Sequence, residues 1–594
     1  MKYPMLYSKD SSRQIVDTFK GYNHNLRIGE GEFFDMKNMT SDYYPVLSPR
    51  KKRGEYASAV SPNGLIAKDA LCYVDGTKFV INEYSVDMGL NDEPKQLISM
   101  GAYVIIMPDK KYINTSTQDL TDFGNIEAFY PGVEGQDVTA IYEMCKLDAT
   151  VYNTEGIQSD TAPQNPKNMQ LWIDTSATPH ALKQYSETNA VWTQIPTTYI
   201  KISAPNIAQN FNQYDAVKIT GFPKESEQLA DLEGVMFPLW VVYHDTDNNG
   251  ANDYIVIVGM LDERTSGTTK LRLERTMPIM DFVIESGNRL FGCRYGPAAN
   301  GEVVNEIYAS KLGDFRNWNC MMQISTDSWV GGVGTDGQFT GAITHMGYPL
   351  FFKENCVHKV YGQYPANFQI QTTPCRGVQK GCNRSLAIVN ETLFYKSRSG
   401  VCAYDGSLPS EVSYVLGNEA YKEAVGGAHG NKYYISMLDV DNVSNLFVFD
   451  TAKGMWHKED NLQAEYFCSC DGEMYAVVGS NIITMLGSGT PEADPVEWMV
   501  QTGEIGISSP DMKYISRLNV RMQLDIGSEV RFYAQYDFCD TWEHLFTMQG
   551  TSLRSFSLPI RPKRCDHLKL RIEGMGEAKI YSITKTIEQG SELP

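Results

Sequence analysis

Apolar and polar residues alternate with a period of two along most of this chain, and Gly, Asn and Asp interrupt the alternation at short intervals. Period two places every second side chain on one face of an extended strand, and such interruptions supply tight turns. Seven segments share the scheme strand, turn, strand: 65–84, 101–115, 287–310, 345–362, 391–406, 426–457 and 471–485. Each is predicted as a hairpin. Markers at Pro349, Glu391, Gly430 and Gly472 recur at about the 40–45-residue period of a four-stranded propeller blade. In the sixth segment Trp456 is placed to wedge between neighbouring blades. A β-sandwich with irregular strands is the alternative reading of these spacings.

The repeat stops after Thr115 and resumes near Pro278, too long a gap for one blade, which predicts an inserted β domain. Its strands are read at 170–174, 181–185, 190–195, 216–219 and 254–258. Beyond a linker-like Gly487-Ser488-Gly489-Thr490-Pro491, strict alternation returns at Leu518 to Leu524, Val530 to Tyr536 and Leu568 to Ile572. Gly527-Ser528 reads as the hairpin turn between the first two. The expected organisation is all-β. An N-terminal segment with the first propeller blades (1–115) is followed by the inserted β domain (116–277), the remaining blades (278–488) and a C-terminal β-sandwich-like domain (489–594). The propeller would have about six to eight blades.

At 594 residues, with 42% hydrophobic and 21% charged, the chain is globular and multidomain, and its 35 Tyr suit strands. A net charge of −20 argues against a protein that grips phosphate backbones, yet allows DNA to slide past without sticking. The twelve Cys lack zinc spacing and read as small apolar fillers in a reducing compartment, with Cys468-Ser469-Cys470 the one close pair. The first ten residues carry no signal-like apolar run, and no window is apolar enough to span a membrane.

In the run 245–253, Asp245, Asp247, Asn249 and Asp253 occupy positions 1, 3, 5 and 9 of a calcium-type loop, with Gly250 at position 6. Position 12 is Val256 rather than Glu, and an Asn/Gly-rich hairpin turn accounts for the same residues. Calcium is the one cofactor considered. The basic run Arg50-Lys51-Lys52-Arg53 reads as a contact for an acidic partner, a contact for DNA, or a solvated turn. No nucleophile elbow, P-loop or zinc-protease motif is present, so no catalytic residue is assigned and the chain is expected not to be an enzyme. Carboxylate pairs for glycoside cleavage are defined in space, and sequence is silent on them.

The phrase running from Asn305 through Gly313-Asp314 to Trp318 is a half-buried strand, a tight turn and an aromatic thrown back on the sheet. It resembles a segment of bacteriophage tail-nozzle and tail-hub β-propeller proteins. Further similarities follow in the family's order. Gly21 to Asn38 with Arg50 and Arg53 resembles their opening; 343–362 and 375–406, ending in Asp405-Gly406, resemble later blades; 564–574 is similar to their ends in phages of Gram-positive hosts. The resemblance implies a structural virion protein of the tail, assembled in the bacterial cytoplasm as a homo-oligomeric ring, most often a hexamer. It would contact portal, adaptor or other tail proteins, with double-stranded DNA in passage. It recasts Arg50 and Arg53 as structural. The 115–278 insertion departs from better known members. Two alternatives stay open: a tail propeller binding host-surface glycans through Trp172 and Trp192, and a polysaccharide hydrolase.

Overall fold

Two-residue turns that require left-handed backbone set the repeat. In the computed structural model, which describes residues 11–589 except 83, 118, 119, 509, 510 and 538, the first hairpin of successive sheets closes on Gly287-Asn288, Met346-Gly347, Asn390-Glu391, Gly430-Asn431 and Asp471-Gly472. All but Asn431 have φ between 46° and 78°, the geometry whose twist matches that of paired strands. The sequence markers Glu391, Gly430 and Gly472 fall on this one recurring turn. The signal-peptide reading concerns residues outside those described.

Seven antiparallel sheets follow along the chain: I (62–87), II (96–125), III (282–332), IV (341–374), V (387–411), VI (422–458) and VII (466–484). The first six pair four strands in sequence order. Sheet VII has only three local strands, Tyr466–Cys470, Glu473–Val478 and Asn481–Thr484, and takes its fourth, Gly54–Ser58, from near the N-terminus. Thr490–Pro491 adds to the far side of that strand, so the stretch read as a linker is partly sheet.

The chain divides into two compact units. In the unit made of 1–97, 337–359 and 371–594, sheets IV, V, VI, VII and I pack in succession. Phe352 meets Tyr395 with ring centroids 5.2 Å apart, and Phe394 stacks on Tyr433 at 5.2 Å. Tyr434 packs with Met474 and Ala476, and Leu71 with Val477 and Ile482. Trp456 is buried beside Phe449 and donates its indole N–H to the Val412 carbonyl (2.8 Å), wedging sheet VI against the chain leaving sheet V.

The same unit holds a nine-stranded sheet in which Ser11–Val16, Gly21–Tyr22 and Glu32–Lys37 join five strands of 497–589 and a two-residue strand at Arg564–Cys565. Here the predicted hairpin at Gly527-Ser528 is wrong. Residues Lys513–Tyr536 form one strand, paired along its length with Glu543–Leu558. On its other side it pairs first with Ala578–Gln589 and then with Leu568–Met575. Parity explains the error. Leu518, Val520, Met522, Leu524, Val530, Phe532 and Ala534 are all buried and all even-numbered, whereas a two-residue turn at 527–528 would set even residues opposite odd ones and apolar side chains opposite polar ones.

In the other unit, 98–336 with 360–370, sheets II and III share a core of Ile98, Met100, Ile105, Val283, Leu290, Phe315 and Trp318. Between these sheets the chain builds three more, from strands lying between Ala128 and Arg275. Ala128 pairs with Arg275, so the segment leaves and returns at one point. Among the described residues no helix is long and apolar enough to cross a membrane.

Candidate functional site

Three of the four residues of the basic run near the N-terminus, Arg50, Lys52 and Arg53, are spent on partners within the protein, and Lys51 is exposed. Asn38, at φ 56°, donates its backbone N–H to the Glu459 carbonyl (2.8 Å) and its side-chain amide to the Glu497 carbonyl (2.7 Å), and accepts Arg50 Nε at 2.8 Å. Arg50 lies 3.3 Å from Glu492 and 3.5 Å from Asp460; Arg53 reaches Glu459 and Asp460, each at 2.7 Å. Lys52 donates to the Glu492 carbonyl. Burial opposes the Arg53 charge, but Glu459 and Asp460 more than offset it and raise its pKa; burial likewise opposes the Asp460 carboxylate, and Arg53 holds it below the usual range. The cluster borders a cavity of about 840 Å³ that Asp35, Lys37, Lys458 and Glu497 also line.

The Asn305 to Trp318 phrase is equally architectural. Asn305 donates to the Val333 and Thr335 carbonyls (2.8 and 2.6 Å). Gly313, at φ 73°, donates to Asn288 O, and the Asp314 carboxylate caps the turn by accepting Arg316 N–H and the Asn317 amide. Trp318 is buried and donates to Phe315 O at 2.8 Å. Two residues that sequence reading missed complete this joint. Asp215 pairs with Arg275, both buried, while Asn317 donates to Asp215 (3.1 Å) and accepts Ala216 N–H (2.9 Å). Asp215 immediately precedes the strand Ala216–Thr220 and Arg275 ends the strand Arg272–Arg275, and nothing in the linear order pairs them. Asp405 and Gly406 form an exposed turn in which Asp405 accepts the Ser407 N–H and hydroxyl (3.0 and 2.6 Å).

The proposed calcium ligands do not converge. Asp245 accepts Asn248 N–H and the Asn248 and Asn252 amides. Asp253, fully buried, accepts the Ala208 and Asp245 backbone N–H groups and lies 2.8 Å from His244 Nδ1. Asp247 and Asn249 are exposed. The two inward carboxylates are thus filled by donors of the hairpin and by the Ala208 N–H, and among the described residues no group of three or more His, Cys, Asp or Glu is placed to hold a metal. Nine of the twelve Cys are buried, as fillers of strands would be, and burial pushes thiols such as Cys72 up to about 12.

A smaller cavity, of about 270 Å³, also brings two acid groups together: Arg384, Glu423, Gln463 and Glu465 line it, with Met437 and Leu438 at its wall. Glu423 sits at φ 50° where the Lys422–His429 strand shifts register, a bulge that re-aims a side chain. Arg384 donates to Glu465 O (3.3 Å) and the Tyr466 hydroxyl (2.9 Å). Acid-base glycoside cleavage uses two carboxyl groups on one cleft, held about 5–10 Å apart.

No protein family matches the chain by sequence, and no curated protein matches it. Solved structures do. The exo-β-1,3-galactanase of Phanerochaete chrysosporium with galactose is 8% identical over 51% of this chain and 94% of its own, at a TM-score of 0.21. A glycoside hydrolase family 43 arabinoxylan arabinofuranohydrolase from Bacillus subtilis, in complex with cellotetraose, is 8% identical over 51% and 94%, at 0.18. The extracellular domain of a putative hybrid two component system from B. thetaiotaomicron covers 93% of this chain and 99% of its own at 9% identity and 0.21. The expectation that the chain is not an enzyme is corrected by these matches and is not kept: several of the similar structures are glycoside hydrolases. At TM-scores of about 0.2 the likeness carries no argument for any particular activity of this chain.

Proposed function

We propose that this chain is a structural protein of a bacteriophage tail, in which the seven successive sheets serve as blades of a propeller and copies of the chain assemble as a ring around the DNA channel. The supporting observation is the use made of the residues that carry the family resemblance. Asn38, Arg50 and Arg53 tie the N-terminal segment to residues more than 400 positions away, and Asn305, Gly313, Asp314 and Trp318 lock one turn into a core. Their roles are those of joints. The net charge of −20 suits a channel past which DNA slides without counterion release. Its partners are further copies of itself, most simply six, and adjoining portal, adaptor or tail proteins. Light scattering and negative-stain microscopy test this: rings, alone or on adding tail proteins, support it, and a monomer under both conditions overturns it.

A second reading is favoured by the cavity that Glu423 and Glu465 share. In it the chain cleaves polysaccharide with one carboxyl group as acid and the other as base or nucleophile. Reducing-end release from bacterial cell-wall polysaccharide, lost in both Glu423→Gln and Glu465→Gln, supports it; no release by the unaltered protein, or release that survives both changes, removes it.

A further inference from the structure

The small sheet of the inserted segment has two unlike faces. Its strands are Gln158–Ser159, Leu171–Asp174, Ala181–Ser186 and Val191–Gln194. Ile173 and Leu182 point from one face into the apolar core beneath. By the cross-strand pairing of Trp172 with Lys183, Tyr185 with Trp192 and Lys183 with Gln194, these five side chains share the opposite face.

On that face the aromatic groups have divided the work. Trp172 is only 5% exposed, donates its indole N–H to Ser159 O (3.0 Å) and lies under the Lys183 ammonium, which Asp174 holds at 2.7 Å. It is the foundation. Trp192 stands on it edge-on, 5.4 Å between centroids, with Tyr185 5.3 Å to its side, and both remain half-exposed on or beside the edge strand. Among the described residues, the Trp192 indole N–H, the Tyr185 hydroxyl and the Gln194 amide make no hydrogen bond within the protein. The buried Trp172, Trp318, Trp456 and Trp498 each donate theirs to a backbone carbonyl. A supported, half-exposed ring whose own N–H and two neighbouring polar groups are unspent matches a molecule that is apolar on one face and carries hydroxyls at its rim. A pyranose ring is such a molecule: its axial C–H groups lie on the aromatic face and its hydroxyls reach the donors and acceptors alongside.

We propose that Trp192, supported by Trp172 and flanked by Tyr185 and Gln194, is a binding site for a pyranose unit of a polysaccharide. The site is built on the inserted segment alone and depends on neither the ring nor the hydrolase reading. It also narrows the glycan reading of the sequence, because Trp172 is buried and supports the contact without making it.

The test is saturation-transfer NMR and tryptophan fluorescence on the full chain, with chitohexaose, cellohexaose, mannohexaose and laminarihexaose as probes at up to about 10 mM. At least one probe is expected to bind, with Trp192→Ala weakening it about tenfold and Gln194→Ala or Tyr185→Phe two- to fivefold. The two milder variants keep the test decisive if Trp192→Ala does not fold. No binding of any probe to the unaltered protein, or unchanged binding in the variants, overturns the proposal. So does a Trp192→Ala protein whose only change is a smaller mass in light scattering, which would assign the face to a second copy of the chain.

Discussion

Two buried arginine-carboxylate joints hold this molecule's segments together, and they differ in how much company each charge has. Arg53 shares Glu459 and Asp460 with Arg50, which also reaches Glu492, and the group opens onto a cavity of about 840 Å³. Among the described residues Arg275 has Asp215 alone as its charged partner, sealed at 4% and 1% exposure. A network beside solvent redistributes charge when one member is lost; a sealed pair leaves the survivor stranded.

The largest effect should follow from breaking the sealed pair. Asp215→Ala is expected to cost about 3–5 kcal/mol, read as a lower urea midpoint, and Asp215→Asn less, since an amide still accepts from Asn317. Acid should come next and strike the first unit. His457 and His358 there are buried, and burial, with help from nearby lysines, lowers their pKa to about 3 and about 4. A histidine neutral in the fold but protonated when unfolded below about pH 6.5 withholds stability as pH falls, so the loss begins near 6.5 and grows toward the folded pKa values. Between pH 6.5 and 5 each should cost about 2 kcal/mol. Limited proteolysis at the two pH values should show 371–594 cut before 98–336, and equal rates would contradict this. Arg53→Ala should cost less, about 2–3 kcal/mol, because Arg50 remains beside Glu459, and Arg53→Lys should recover only part of it. As the smallest effect, Asp247→Ala on the exposed turn should stay within about 0.5 kcal/mol, and calcium should leave its Tm unchanged.

What could be read from the sequence follows the same division between local and distant partners. The recurring turn was legible because Gly, Asn and Asp announce left-handed backbone within two residues. Arg50 and Arg53 were visible as a basic run, but their partners at 459, 460 and 492 were not. The Asp215–Arg275 pair was invisible, since a single Asp and a single Arg at strand ends carry no periodic signal. At Gly527-Ser528 the turn composition competes with an unbroken even-numbered parity on both sides, and parity is the better guide. Trp172 and Trp192 read alike as letters; only their burial separates the support from the exposed ring.

Sheet VII borrows Gly54–Ser58, and the nine-stranded sheet borrows three strands from 11–37. On the ribosome those residues emerge well before their partners, which follow only after about 420 to 570 more have been made. At about 5–20 residues per second that wait lasts roughly 20–115 s. During it, Phe19, Tyr22, Phe33 and Met36, all buried in the finished protein, have only the short pairing of Gly21–Tyr22 with Glu32–Phe33 and no wider sheet to join. A nascent chain that stalls before residue 466 therefore carries unpaired strand edges, and the strands between 481 and 589 act as the clasp that retires them.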